Sequence, residues 1–274
     1  MATRRRGLSA AASRAFDALE SALAVAAVRW PRRGVRLASS LGELRQRLSG
    51  HWPSAAEVAA LFDLPPDPSA RLARRIAGLE ARNRLSVALL HRLGPGRLAA
   101  LVGQAGESRD TRPAVLLTFH VGALQLLGEA LDASRRGILL MRASPIYSPR
   151  PGQRFAFTEG GAGERAAALK AAVAHLETGG SVVVAADGES GSGVDVRCLG
   201  RRLALARGAF AMSRLTGSPI LPRVARWEGA QVVVERGAPV ASAEEAGRWL
   251  EEFLRRRPEQ LGLGLLRQLL QAER

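Results

Sequence analysis

His120 ends an apolar, strand-like run over residues 114–119, and a small-residue turn, Val121-Gly122-Ala123, leads from it into a helix-like run over 124–131. A histidine there can act as a general base, because its ordinary pKa lies near neutrality. In open α/β sheets, sites collect at the carboxyl ends of strands. Gly122, with no side chain, allows close approach by a substrate backbone or chain. A working base needs an orienting partner. Five residues on, where a carboxylate could hold the ring, stands Gln125, whose amide oxygen can accept from an imidazole N–H but brings no negative charge. Glu129 is nine residues past His120, about 13 Å along a helix, too far to take that place. Asp187 follows a second strand-like run, 181–186. From a neighbouring strand end, Asp187 or Glu189 could approach the ring.

Other candidates are weaker. The stretch from Asp187 and Gly188 to Gly193 is glycine-rich but lacks the Gly-Lys-Ser/Thr of a phosphate-binding loop and the glycine spacing of a dinucleotide fingerprint. Arg142 and Arg154 flank a proline-rich loop, 144–152, where a guanidinium could grip a phosphate. There is no Gly-x-Ser-x-Gly nucleophile elbow. His51, His91 and His175 have no metal-ligand spacing and read as structural, so no metal site is expected.

These residues need a scaffold that brings strand ends together. Runs at 114–119, 137–142 and 181–186 alternate with helix-like segments at 123–133 and 164–177, the pattern of a sheet covered by helices. Further strands are expected at 194–199, 220–227 and 231–236, and an amphipathic helix at 244–256. The expected fold is α/β: a central mixed, largely parallel sheet flanked by helices, with a helical N-terminal extension. The extension spans residues 1–110 and the core 111–274. Within the extension, Phe16, Leu19, Leu23, Ala26 and Trp30 recur at helical steps as one apolar face. Ser54 to Glu57 forms a capping box. Asp67-Pro68 reads as the N-cap and first residue of a longer helix running towards Leu93 and ended by Gly94-Pro95-Gly96.

The 274 residues carry a net charge of +15, and Lys170 is the only lysine. Residues 1–110 hold 18 arginines against 9 acids. That balance favours anionic partners. Nucleic acid is set aside, since aromatics make up only 4 % and no recognition motif is present. The single cysteine, Cys198, excludes an intrachain disulfide and a cysteine-based zinc cluster. No transmembrane helix is expected: the uncharged run near the N-terminus, 21–28, falls far short of the roughly 20 residues a span needs. Arg4-Arg5-Arg6 opens like a signal peptide, but Arg14, Asp17 and Glu20 interrupt the apolar region that should follow, and no signal peptide is read.

With these residues in order, the chain resembles the lysophospholipid acyltransferase-like superfamily, in particular the lauroyl and myristoyl transferases of lipid A biosynthesis. The resemblance covers residues 112–267. It rests on His120 to Gln125 with Gly122 between them; on Gly179-Gly180 before a strand ending in Asp187; on Cys198-Leu199-Gly200-Arg201 followed by the small-residue run 206–211; on Gly217-Ser218-Pro219 before an apolar strand; and on Pro258-Glu259-Gln260 before a final helix. It implies a fatty acyl group moved from a thioester, acyl-ACP or acyl-CoA, to a lipid or glycolipid acceptor, with no cofactor. His120 would be the base and Gln125 its orienting partner; Gly122, Arg142, Arg154, Asp187 and Gly188 would lie around substrate. The family has Asp or Glu where this chain has Gln125, so the alternative is a catalytically impaired relative that binds lipid or acyl chains. The implied setting is peripheral, on the cytoplasmic face of the inner membrane, with the arginine-rich amphipathic segments against anionic lipid.

Overall fold

The computed structural model describes residues 10–49, 53–93, 100–103, 112–131, 137–142, 154–158, 161–188 and 193–272. Four helices come first: α1 (Ala10–Ala27), α2 (Pro31–Ser49), α3 (Ala55–Phe62) and α4 (Pro66–Arg92). Strand β1 (Val115–Thr118) follows, then a 3₁₀ turn (Leu124–Leu126) and the single-turn α5 (Leu127–Ala130). Next come β2 (Ile138–Arg142), β3 (Arg154–Phe157), α6 (Ala162–Glu177), β4 (Ser181–Ala185), β5 (Gly193–Cys198), β6 (Arg201–Ala206) and α7 (Gly208–Thr216). The chain continues through β7 (Ile220–Glu228), β8 (Gln231–Arg236), α8 (Ala243–Arg256), a 3₁₀ turn (Pro258–Gln260) and α9 (Leu263–Gln271).

Six strands form one sheet in the order β3-β2-β4-β1-β7-β8, parallel except for the antiparallel β7–β8 pair. This is the expected mixed, largely parallel α/β fold. β1 is central, and its four residues, Val-Leu-Leu-Thr, are all buried, as a strand covered on both faces requires. Val115, Leu117 and Phe119 face one core, shared with α3, part of α4, α6, α8 and α9. Ala114 and Leu116 face the other, under α4 and α5 and continuous with α1 and α2. The helical segment before β1 is thus packed into both cores.

Several expectations need correction. β3 and β6 had no counterpart among the expected strands. β3 is a short edge strand, mostly exposed, with one buried alanine. β6 reads Arg-Arg-Leu-Ala-Leu-Ala, and leucine with alanine suits a helix as well as a strand. Leu199-Gly200 is not part of a strand but the two-residue turn between β5 and β6. Both residues have positive φ, 52° and 73°, as a type I′ hairpin turn demands. The helix expected over 123–133 shrinks to the 3₁₀ turn and α5; residues 132 and 133 lie outside the described residues, as does Gly94-Pro95-Gly96.

The capping box at Ser54 and Glu57 forms as expected. α4, however, starts at Pro66 with Pro65 as its cap. Ser69 Oγ bonds back to the carbonyls of Leu64 and Pro65, which fixes the earlier start. Pro66 and Pro68 both sit in the first turn, where a missing N–H leaves no bond unmade. The apolar face expected on α1 is only partly covered. Phe16, Ala24 and Ala27 are buried, whereas Leu19, Ala26 and Trp30 are exposed. α1 turns Ala27 towards α2, where a Cβ on Gly34 would come within 2.3 Å of the Ala27 Cβ.

Candidate active site

The parallel register of β1 and β4 builds the site. Thr118 lies opposite Ala185, and the Ala186 amide donates to the Thr118 carbonyl. Two residues further along each chain, His120 and Asp187 become neighbours at the carboxyl edge. The pairing there passes from backbone to side chain: the His120 amide donates to the Asp187 carboxylate, 2.8 Å and 3.0 Å from its two oxygens. The His120 ring adds Nδ1 to Oδ1 at 3.0 Å. A carboxylate only accepts, so Nδ1 carries the proton and Nε2 is left as the basic nitrogen. Asp187 is fully buried, while the His120 side chain is about two-fifths exposed. The hydrogen bond to Asp187 raises the His120 pKa above 6.5; burial opposes it, and the charge of Asp187 adds to the rise.

Four elements clamp the turn after His120. The Val121 amide closes a three-residue turn onto the Phe119 carbonyl, and the Phe119 ring stacks on Trp249 of α8 at 6.1 Å. From the segment before α9, the Gln260 carbonyl accepts from the Gly122 amide. The Gln260 side chain pairs with both backbone groups of Trp227 on β7, accepting from its N–H at 3.0 Å and donating to its carbonyl at 3.1 Å. From α4, Asn83 donates to the Gly122 carbonyl at 2.8 Å and accepts from the Trp227 indole at 3.0 Å. The indole is a donor only, which fixes the orientation of the Asn83 amide. Gln268 of α9 donates to the Asp187 carbonyl at 2.7 Å, holding the other half of the pair.

Two glycines are required by this packing. Gly122 has φ of +57°, and a Cβ there would lie 2.2 Å from the Ala225 carbonyl of β7. The close approach that glycine permits is therefore by the protein's own strand. A Cβ on Gly262 would lie 2.1 Å from the His120 carbonyl.

His120 opens into a cavity of about 180 Å³ lined by Glu80, Asn83 and Arg84 of α4, by Gln125 and by Gly262, with Val87, Leu124 and Leu263 as its apolar part. That is smaller than pockets that engulf a drug-sized ligand, which start near ~300 Å³. It suits the meeting of two reacting ends rather than enclosure of a long chain. Burial pushes the Glu80 carboxyl above its ordinary pKa, against the nearby charges of Arg84 and Arg267. Burial pushes the Cys198 thiol up to about 12, so it supplies no thiolate at neutral pH.

The other expected site residues spread out. Gln125 lines the cavity with His120. Gly188 follows Asp187, and a Cβ there would meet nothing within 4 Å. Arg142 ends β2 on the same edge of the sheet, two strands from β1; its side chain lies outside the described residues, as do the loop 144–152 and Glu189. The structure does not bring Arg154 to His120. It begins β3, level with Leu139 and so with Val115, five residues before His120. That is about 17 Å along the strand direction, on the opposite edge and three strands across. His175 is structural, its Nε2 2.6 Å from the Gly137 carbonyl; His91 sits in the last turn of α4, and His51 lies outside the described residues.

Sequence reasoning missed Glu80, Asn83 and Arg84, whose three- and four-residue spacing puts them on one face of α4, and it gave Gln260 and Gln268 no role. No protein-family model matches the chain, and a search of curated proteins gives no match.

Proposed function

We propose that this protein is an acyltransferase that moves a fatty acyl group from a thioester, acyl-ACP or acyl-CoA, to a hydroxyl or amine of a lipid or glycolipid acceptor. The single observation that carries the reading is the His120–Asp187 pair at the carboxyl edge of the sheet, with the histidine open to a cavity and the carboxylate closed off behind it. Nε2 takes the acceptor's proton as its oxygen or nitrogen attacks the thioester carbonyl. The new C–O or C–N bond forms, the C–S bond breaks, and the thiolate leaves with the proton from the imidazolium. Asp187 stabilises the imidazolium between those steps. No covalent enzyme intermediate is needed, in keeping with the lack of a nucleophile elbow and with a buried Cys198 thiol that stays protonated.

Asp187 also weakens the case for an impaired relative. That reading rested on the neutral Gln125, and a buried carboxylate reaches the same ring from a different strand. The cavity is too small for a fatty chain, so both chains run out from it along the surface or into lipid. A membrane acceptor fits that geometry, and an anionic membrane fits the net charge.

The test is transfer of a labelled acyl group from acyl-ACP or acyl-CoA to extracted lipids by the purified chain. His120→Ala is expected to lower the rate by at least about 10³-fold. An undiminished rate with this variant contradicts the assignment of the base, and no transfer by the wild-type protein to any lipid acceptor contradicts the function.

A further inference from the structure

Among the described residues, six of the eight exposed large hydrophobic side chains lie on α1, on α2 or in the turn between them: Leu19, Val25, Trp30, Leu37, Leu44 and Leu48, each 46 % to 64 % exposed. Such concentration on two adjacent helices is not the scatter of single apolar residues that ordinary surfaces carry. On α2 the leucines are spaced as a helix stripe, Leu37, Leu41, Leu44 and Leu48. At 100° per residue, Arg33, Arg36 and Arg47 form the adjoining stripe, and all three are exposed. Arg29 and Trp30 complete the turn, the guanidinium 5.2 Å from the ring centroid.

On these two helices the acids are engaged within the protein: Glu20 with Arg84 and Glu43 with Ser39 beside Gly78 of α4, both turned inward, and Asp17, itself exposed, with Arg45 of α2. The outer side presents leucines and arginines. A second copy meeting this face symmetrically would set arginine stripes against each other. A surface of anionic headgroups over hydrocarbon meets both stripes, the leucines entering the acyl boundary while the arginine stems reach back to phosphate.

We propose that the outer face of the α1–α2 hairpin docks on an anionic phospholipid bilayer. This rests on the acyltransferase reading, to which it adds where the acceptor comes from. Arg84 both pairs with Glu20 of α1 at 2.7 Å and lines the His120 cavity, so the docked hairpin borders the cavity.

The test is co-sedimentation of the full chain with vesicles of equal parts phosphatidylglycerol and phosphatidylcholine, and with phosphatidylcholine alone. The chain should bind the first far more tightly, and added salt should weaken that binding. Affinity should fall about tenfold for each leucine replaced in L37E/L44E, and about fivefold for each arginine in R33E/R36E. Thermal unfolding reports whether each variant is folded; the arginine pair, fully on the surface, serves if the leucine pair is not. Wild-type affinity in a folded variant, equal binding to both vesicles, or a lipid-free dimer that L37E/L44E dissociates overturns the proposal. Transfer to a detergent-dispersed acceptor separates the two readings. A docking variant should keep that activity while losing vesicle binding, whereas bilayer binding by a chain inactive in detergent supports the docking face and contradicts the acyltransferase.

Discussion

His120 and Asp187 are 67 residues apart in sequence and 3.0 Å apart in the fold. The consequence at this scale is a histidine whose protonation is tied to one carboxylate. The pKa of His120 is raised, chiefly by its hydrogen bond to Asp187. A base acts in its neutral form, so kcat/KM for acyl transfer should rise with pH through a limb above 6.5. With Asp187→Asn the hydrogen bond to a charged group and the attraction are lost while burial remains, so the limb should move to lower pH. The pH–rate profile checks this, as does titration of the His120 ring by NMR; a limb unmoved by the substitution contradicts the coupling. The same linkage fixes a stability sign. A folded-state pKa raised above the unfolded value contributes stability that is fully present below about 6.5 and lost as pH climbs through the raised value. Each residue of the pair was legible as the end of an apolar run. That they meet was not, because contact depends on which strands become neighbours.

At the scale of elements, the register of β1 against β4 turns two strand ends into a pair. The strand order β3-β2-β4-β1-β7-β8 is set by crossovers, and no local pattern in residues 114–119 or 181–186 specifies it. Periodicity found the sheet strands that carry apolar runs and missed β3 and β6, where short length or alanine blurred the signal. It grouped Phe16, Leu19, Leu23, Ala26 and Trp30 on one face of α1, of which the fold buries Phe16 and exposes Leu19, Ala26 and Trp30, since an apolar repeat does not say what will cover it. Asn83 and Gln260 were silent for a different reason: an amide on a helix or a short turn carries no pattern, and its value lies in partners supplied by other elements. The turn they hold is testable at Gly122. Gly122→Ala forces a side chain into left-handed backbone against the Ala225 carbonyl, and should destabilise the protein by more than about 2 kcal/mol in urea unfolding. A change within about 0.5 kcal/mol contradicts the described turn.

At the scale of the whole molecule, the helices before β1 are not an appendage to the sheet. α4 lines the cavity and bonds the turn after His120, α3 packs into the core beneath it, and α1 and α2 turn an apolar, cationic face outward. The net charge of +15 was plain in the sequence, but its distribution over the surface was not, because it depends on which arginines the fold pairs with acids, as it does Arg45 with Asp17 and Arg84 with Glu20. No helix among the described residues is long and apolar enough to cross a membrane. Everything proposed for this site turns on a buried carboxylate just beyond β4 making His120 a working base despite Gln125. The most direct measurement is kcat/KM for acyl transfer by Asp187→Asn, with its folding checked by thermal unfolding. The folded variant should be slowed by about 10² to 10⁴, in the range that loss of an orienting carboxylate costs a catalytic histidine. A folded variant that transfers acyl groups at the wild-type rate would contradict it.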